Sequence, residues 1–106
     1  MDLNFEKLCG WERTKAIYLV QVANDLDMDL TGYGEIGVNP NSGNTYLWLE
    51  DYSFTLYMHI SCELVKSDIW AIWTDLDNGD ETEISLNDNI HHWEQIEALK
   101  STAEKV

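Results

Sequence analysis

Residues 33–85 fall into five short runs separated by turn-forming residues, and this spacing limits the fold more than any other feature of the chain. The clearest run, residues 54–61, sets Phe54, Leu56, Met58 and Ile60 at alternate positions between Thr55, Tyr57, His59 and Ser61. A period of two marks a strand with one face buried. Further runs cover residues 33–39, 44–50, 69–75 and 81–85. Between them stand Pro40-Asn41-Ser42-Gly43-Asn44, Asp51-Tyr52-Ser53, Ser67-Asp68 and Asn78-Gly79. Pro, Gly, Asn, Asp and Ser preset or tolerate the backbone angles of tight turns. Asn78-Gly79 is the pair favoured in a type I′ hairpin turn. Connections this short join antiparallel neighbours, so the middle of the chain reads as a five-stranded β-meander.

Helical stripes flank the meander. Phe5, Leu8 and Cys9 suggest a short turn that Gly10 interrupts. Thr14 is the expected N-cap of a helix whose stripe is Ile17, Leu19, Val20, Val22, Ala23 and Leu26. Asp25, Asp27 and Asp29 oppose the dipole at a helix C-terminus, which sets the stop near Asp25 or Asp27. At the other end, Ser85 with Asp88 resembles a capping box, and Ile90, Trp93, Ile96, Leu99 and Ala103 line one helical face. The expected fold is α+β in one domain, residues 1–106: the meander with both helices packed on one sheet face.

Alternation divides the strands into two unlike faces. Leu47, Leu49, Phe54, Leu56, Met58, Ile60, Ile69, Ala71, Trp73, Thr82 and Ile84 form a largely aliphatic set, the expected core beneath the helices. The opposite set is aromatic and acidic: Tyr46, Trp48, Glu50, Thr55, Tyr57, His59, Ser61, Trp70, Ile72, Thr74, Glu81 and Glu83. Such aromatics serve either as cross-strand pairs on a solvated or helix-covered face or as anchors of an interface.

Charge narrows the choice of partner. The net charge is −14, and Lys66 is the single base in residues 16–99, a span with sixteen acids. Six of those acids, Asp75, Asp77, Asp80, Glu81, Glu83 and Asp88, cluster on and around the last expected hairpin. A surface of nearly one sign repels itself at a cost in stability. Phosphate contacts need Lys and Arg, so direct binding to nucleic acid is excluded, as is docking on an anionic membrane. Aromatic sheet platforms that stack bases carry basic grooves, and this one carries Glu50, Glu81 and Glu83. Hydrophobic content of 44% with five Trp and five Tyr excludes a disordered acidic tail. Asp2, Glu6 and Lys7 break any apolar run of a secretory signal, and no stretch reaches the length of a membrane span. With only Cys9 and Cys62, the chain reads as a cytoplasmic protein with free thiols, Cys62 as a small core residue.

No catalytic or metal-binding pattern emerges. Asp75-Leu76-Asp77-Asn78-Gly79-Asp80 resembles a calcium loop, but Asp80 stands where an EF-hand needs Gly and Leu86 where it needs Glu. His59, Cys62, His91, His92 and Cys9 match no zinc-ligand spacing. His91-His92 is expected in the first turn of the last helix rather than in a metal site. There is no nucleophile turn and no phosphate-cradling glycine loop, and with acids this numerous no pair stands out. A non-enzymatic protein without cofactor or metal is expected.

In size, charge and class, the chain resembles the small acidic inhibitors encoded by phages and mobile elements, of the anti-CRISPR and anti-restriction DNA-mimic type. The segment GYGEIGVNPNSGNTYLWLEDYSFTLYM, residues 32–58, is similar to small phage proteins. No motif fixes a single family, so no functional residues carry over. The resemblance implies a protein that occupies the nucleic-acid site of a basic host protein, in the host cytoplasm, with carboxylates standing in for phosphates. The expected contact residues are Asp75, Asp77, Asp80, Glu81, Glu83, Glu50, Tyr46, Trp48, Tyr57 and Trp70. The alternative is an acidic adaptor or homodimer whose charge serves solubility.

Overall fold

The computed structural model describes residues 3–27, 32–88 and 90–104. After a single 3-10 turn (Phe5–Lys7), the elements are α1 (Gly10–Asp25), β1 (Tyr33–Val38), β2 (Thr45–Glu50), β3 (Phe54–Ile60), β4 (Ile69–Asp75), β5 (Glu81–Ser85) and α2 (His92–Glu104). The five strands form one antiparallel sheet in chain order. The fold is therefore the α+β meander that alternation and turn spacing predict.

Two of its hairpins share one loop design. Asn39 N donates to Asn44 O at 2.9 Å and Gly43 N to Asn39 O at 2.8 Å. Asp75 N likewise donates to Asp80 O at 2.9 Å, and Gly79 N to Asp75 O at 2.7 Å. Asn39 Oδ1 and Asp75 Oδ1 each cap their loop, accepting from Asn41 N and Asp77 N. Gly43 and Gly79 both sit at φ +76°, a region that strains any residue with a Cβ. The expected type I′ turn at Asn78-Gly79 is thus replaced by a four-residue loop. A type I′ turn needs positive φ at both central positions, and among described non-glycine residues only Asp27 has it.

The helix boundaries differ from the sequence reading at two N-termini. Gly10 opens α1 rather than interrupting it, with φ +59°. Thr14 lies inside the helix, buried, its Oγ1 donating to Gly10 O at 3.2 Å. The stop at Asp25 agrees with the acidic run; Asp29 lies outside the described residues. Ser85 and Asp88 do not cap α2, because β5 extends through Ser85 and the helix begins only at His92. Ile90 precedes that helix and is exposed, while Ile96 is buried in the core, Leu99 packs against it and half-buried Trp93 lies against Trp11.

The core lies between α1 and the aliphatic sheet face. Leu19, Ala16, Ala23 and Tyr18 of α1 meet Ile36, Leu47, Leu49, Leu56, Met58, Ile60, Ile69 and Ala71, all buried. α1 crosses β1, β2 and β3, and α2 packs alongside α1, adding Ile96 to the same core. Trp11 and Trp93 meet at 4.9 Å in that helix pair, with Lys100 Nζ 3.8 Å from the Trp11 ring. The cover stops short of the far edge. Trp73 is half-buried, stacked on Phe54 at 4.1 Å, while Thr82 and Ile84, assigned to the core by alternation, are exposed.

Lys15 is a departure from its residue type. It is only 2% exposed, and its Nζ donates to Ser61 O at 2.7 Å and Glu63 O at 3.2 Å. This buried ammonium pins α1 to the β3–β4 connection. Desolvation pushes its pKa down, with Cys62 and Glu12 opposing.

Candidate interaction face

Register fixes how the outer face is assembled. One cross-strand row runs Glu35–Trp48–Tyr57–Ile72–Glu83, the next Gly37–Tyr46–His59–Trp70–Ser85, and a third Tyr33–Glu50–Thr55–Thr74–Glu81. The centre is aromatic and half-buried by its own neighbours. Tyr57 stacks on Tyr46 at 5.5 Å and meets Trp48 edge-on at 6.2 Å. His59 bridges Tyr57 at 5.4 Å and Trp70 at 5.1 Å. Neither α1 nor α2 covers this side, since α1 lies on the opposite face and α2 on α1.

Carboxylates flank the aromatics on both sides. Glu50 closes β2, and Glu81 and Glu83 lie on β5, all exposed. Glu35, on β1, is a member that the sequence reading left unassigned. Its Oε1 accepts from the Tyr46 hydroxyl at 2.9 Å and its Oε2 from the Tyr33 hydroxyl at 3.4 Å. Burial and then this bond push the Tyr46 phenol up to about 12. Gly37 is the other missed member. A Cβ there would lie 2.7 Å from the Tyr46 hydroxyl, so its lack of a side chain seats the ring. Both follow once the 40–43 loop sets the pairing, because Gly37 then falls opposite Tyr46 and Glu35 opposite Trp48.

His59 behaves as an aromatic rather than a cation. Burial pulls its pKa down, with Glu83 opposing. Asn44 Nδ2 donates to its Nδ1 at 3.3 Å, and Asn44 Oδ1 accepts from Cys62 N at 3.1 Å, which sets the ring's orientation.

The expected contact residues divide into two groups. Tyr46, Trp48, Tyr57, Trp70, Glu50, Glu81 and Glu83 share the outer face. Asp75, the last residue of β4, and Asp77 and Asp80 of the loop that follows lie at the end of the sheet, where Leu76 N donates to Ser53 O at 2.9 Å and ties that loop to the 51–53 turn. Glu50, Asp51, Asp75, Asp77, Asp80 and Glu81 therefore gather at one end of the sheet, and Lys66 lies in the connection at the other. Ser61 leaves the face: it is buried beyond β3, its Oγ accepting from Glu63 N.

The candidate metal ligands are dispersed. Cys9 and Cys62 are exposed free thiols, which corrects the reading of Cys62 as a core residue. His92 is buried, its Nε2 donating to Leu86 O and its Nδ1 paired with the Tyr18 hydroxyl, both at 2.8 Å. His91 lines a cleft of about 350 Å³ with Val65, Asp68, Ile90 and Trp93. Among the described residues, no three His, Cys, Asp or Glu side chains form a metal-binding group, and no helix is long and apolar enough to cross a membrane.

Comparison of the chain with protein-family models, curated proteins and solved structures gave no match.

Proposed function

We infer that this is an acidic binding protein whose outer sheet face docks on a basic protein surface and displaces the nucleic acid that surface serves. The observation that carries the reading is the uncovered aromatic face, with Glu35 and Glu50 toward one edge and Glu81 and Glu83 toward the other. Aromatic anchors at a centre and charges at the rim match how binding energy distributes over protein interfaces. The acidic end, with Asp75, Asp77 and Asp80, steers a basic partner before contact. A homodimer through the same face sets four carboxylates of each copy near four of the other, which opposes self-association.

The experiment is affinity capture from lysate of the native host, nuclease-treated, at low and high salt. The expected result is a basic nucleic-acid-binding protein, retained at low salt and released at high salt. Its nucleic acid should compete with the captured chain, and Trp48→Ala with Tyr57→Ala should abolish retention. Retention that survives both substitutions, or that nucleic acid does not compete, overturns the reading. So does a stable homodimer at micromolar concentration by sedimentation.

A further inference from the structure

The last strand of the meander is an open edge. β4 is the one described element that β5 packs against substantially, and all five residues of β5 are exposed. Its hydrogen-bond phase is set at both ends: Asp75 N donates to Asp80 O, and Leu86 N donates to Ile69 O. In an antiparallel ladder the bonded pairs recur every second residue, so Thr82 and Ile84 turn their N–H and C=O toward β4. Glu81, Glu83 and Ser85 turn theirs outward. These are also the β5 residues whose side chains lie on the aromatic face. Acidic side chains on an edge normally suppress strand pairing. They do so against a second copy here, because antiparallel β5–β5 pairing centred on Glu83 sets that carboxylate against itself.

We propose that β5 accepts an added antiparallel strand from the basic partner, one with Lys or Arg at alternate positions. The two basic residues pair with Glu83 and Glu81 on the aromatic face, and an apolar residue before them covers Ile84, which is 41% exposed on the other face. The occupant follows from charge complementarity and phase: only a strand whose basic side chains recur every second residue meets both glutamates while bonding to Glu81, Glu83 and Ser85. The mode rests on the partner reading above and specifies how that partner is held.

The probe is a fluorescein-labelled peptide with a Thr-Val-Arg-Val-Arg core, titrated by anisotropy against the full chain. Two further peptides keep its charge, one with both arginine amides N-methylated and one with both valine amides N-methylated. Arginine amides point at β5 in this register and valine amides point away. Methylating the arginines should weaken binding at least fivefold, and methylating the valines should leave it unchanged. On the protein side, Ser85→Pro removes an outward donor, keeps both glutamates and spares the β4 ladder. It should weaken binding about fivefold, with Ser85→Ala close to wild type and the circular dichroism of both unchanged. Equal affinity for the two methylated peptides, or no binding by the unmodified one, overturns the edge mode. Lysate capture through Trp48 and Tyr57 decides the partner reading separately.

Discussion

Two side chains carry electrostatic costs that pH exposes, with opposite sign. Lys15 is a base whose folded pKa lies below its ordinary 10.5. Between the folded value and 10.5 the unfolded chain binds more protons, so this residue makes stability rise with pH. Lys15→Met should lie within about 1 kcal/mol of wild type at pH 7, because burying a charge offsets much of what its hydrogen bonds contribute. The urea midpoint of wild type should then gain on that variant as pH rises toward 10. A gain for the variant instead would mean that the two carbonyls hold the ammonium better than water does. Tyr46 is an acid whose folded pKa, about 12, lies above its ordinary 10.0. Its contribution is fully present below pH 10 and is lost as pH rises through 12. Absorbance at 295 nm should show a phenol ionising well after the exposed tyrosines. Tyr46→Phe should remove that late step, and its persistence would assign the step to another residue, with Tyr18, also raised by burial, the first alternative.

At the scale of elements, the meander was legible because strand and turn signals are local. Alternation in Phe54–Ile60 and the Pro40 to Asn44 cluster need no knowledge of the rest of the chain. The turn type at Asn78-Gly79 was not legible. The Asp75 and Asn78 side chains accept from Asp77 N and Asp80 N and open the loop to four residues. A two-residue turn would pair Asp77 with Asp80, whereas Asp75 does so. That shift is two residues in register, so every side chain kept its face and the two-sided reading survived. The start of α2 was hidden for a different reason: Ser85 serves the sheet, and tertiary pairing overrode a local cap signal. The shared loop design yields a clean test. Nothing lies within 4 Å of a Cβ placed on Gly79, so Gly79→Ala carries a backbone cost alone. It should destabilise by about 1 kcal/mol in urea unfolding, the usual cost of a left-handed residue with a side chain. Gly37→Ala, which collides with the Tyr46 ring at normal φ, should instead disturb the aromatic face. A neutral Gly79→Ala would show that the loop relaxes to another turn.

Over the whole molecule, charge separates from shape. The sheet end bearing Glu50, Asp51, Asp75, Asp77, Asp80 and Glu81 collects like charges within a short span, which costs the folded state free energy that salt relieves. Thermal stability should therefore rise from 20 mM to 500 mM NaCl. Asp75→Asn, Asp77→Asn and Asp80→Asn together remove three of those charges while leaving the loop's caps available, since Asn39 performs the Asp75 cap in the other hairpin. The triple variant should melt higher than wild type at low salt, by roughly 4 °C for each kcal/mol of repulsion relieved, and the gap should close at high salt. The same variant should associate several-fold more slowly with the captured partner at low salt, with dissociation little changed, because steering acts on the encounter. Trp48→Ala and Tyr57→Ala should do the reverse, speeding dissociation more than tenfold, since anchors act on the bound state. A surface kept for solubility alone has no reason to sort its effects this way. If the amide variant melts higher and binds at an unchanged rate, the acidic end is a solubility device. If it melts higher and binds more slowly, stability has been given up for recognition.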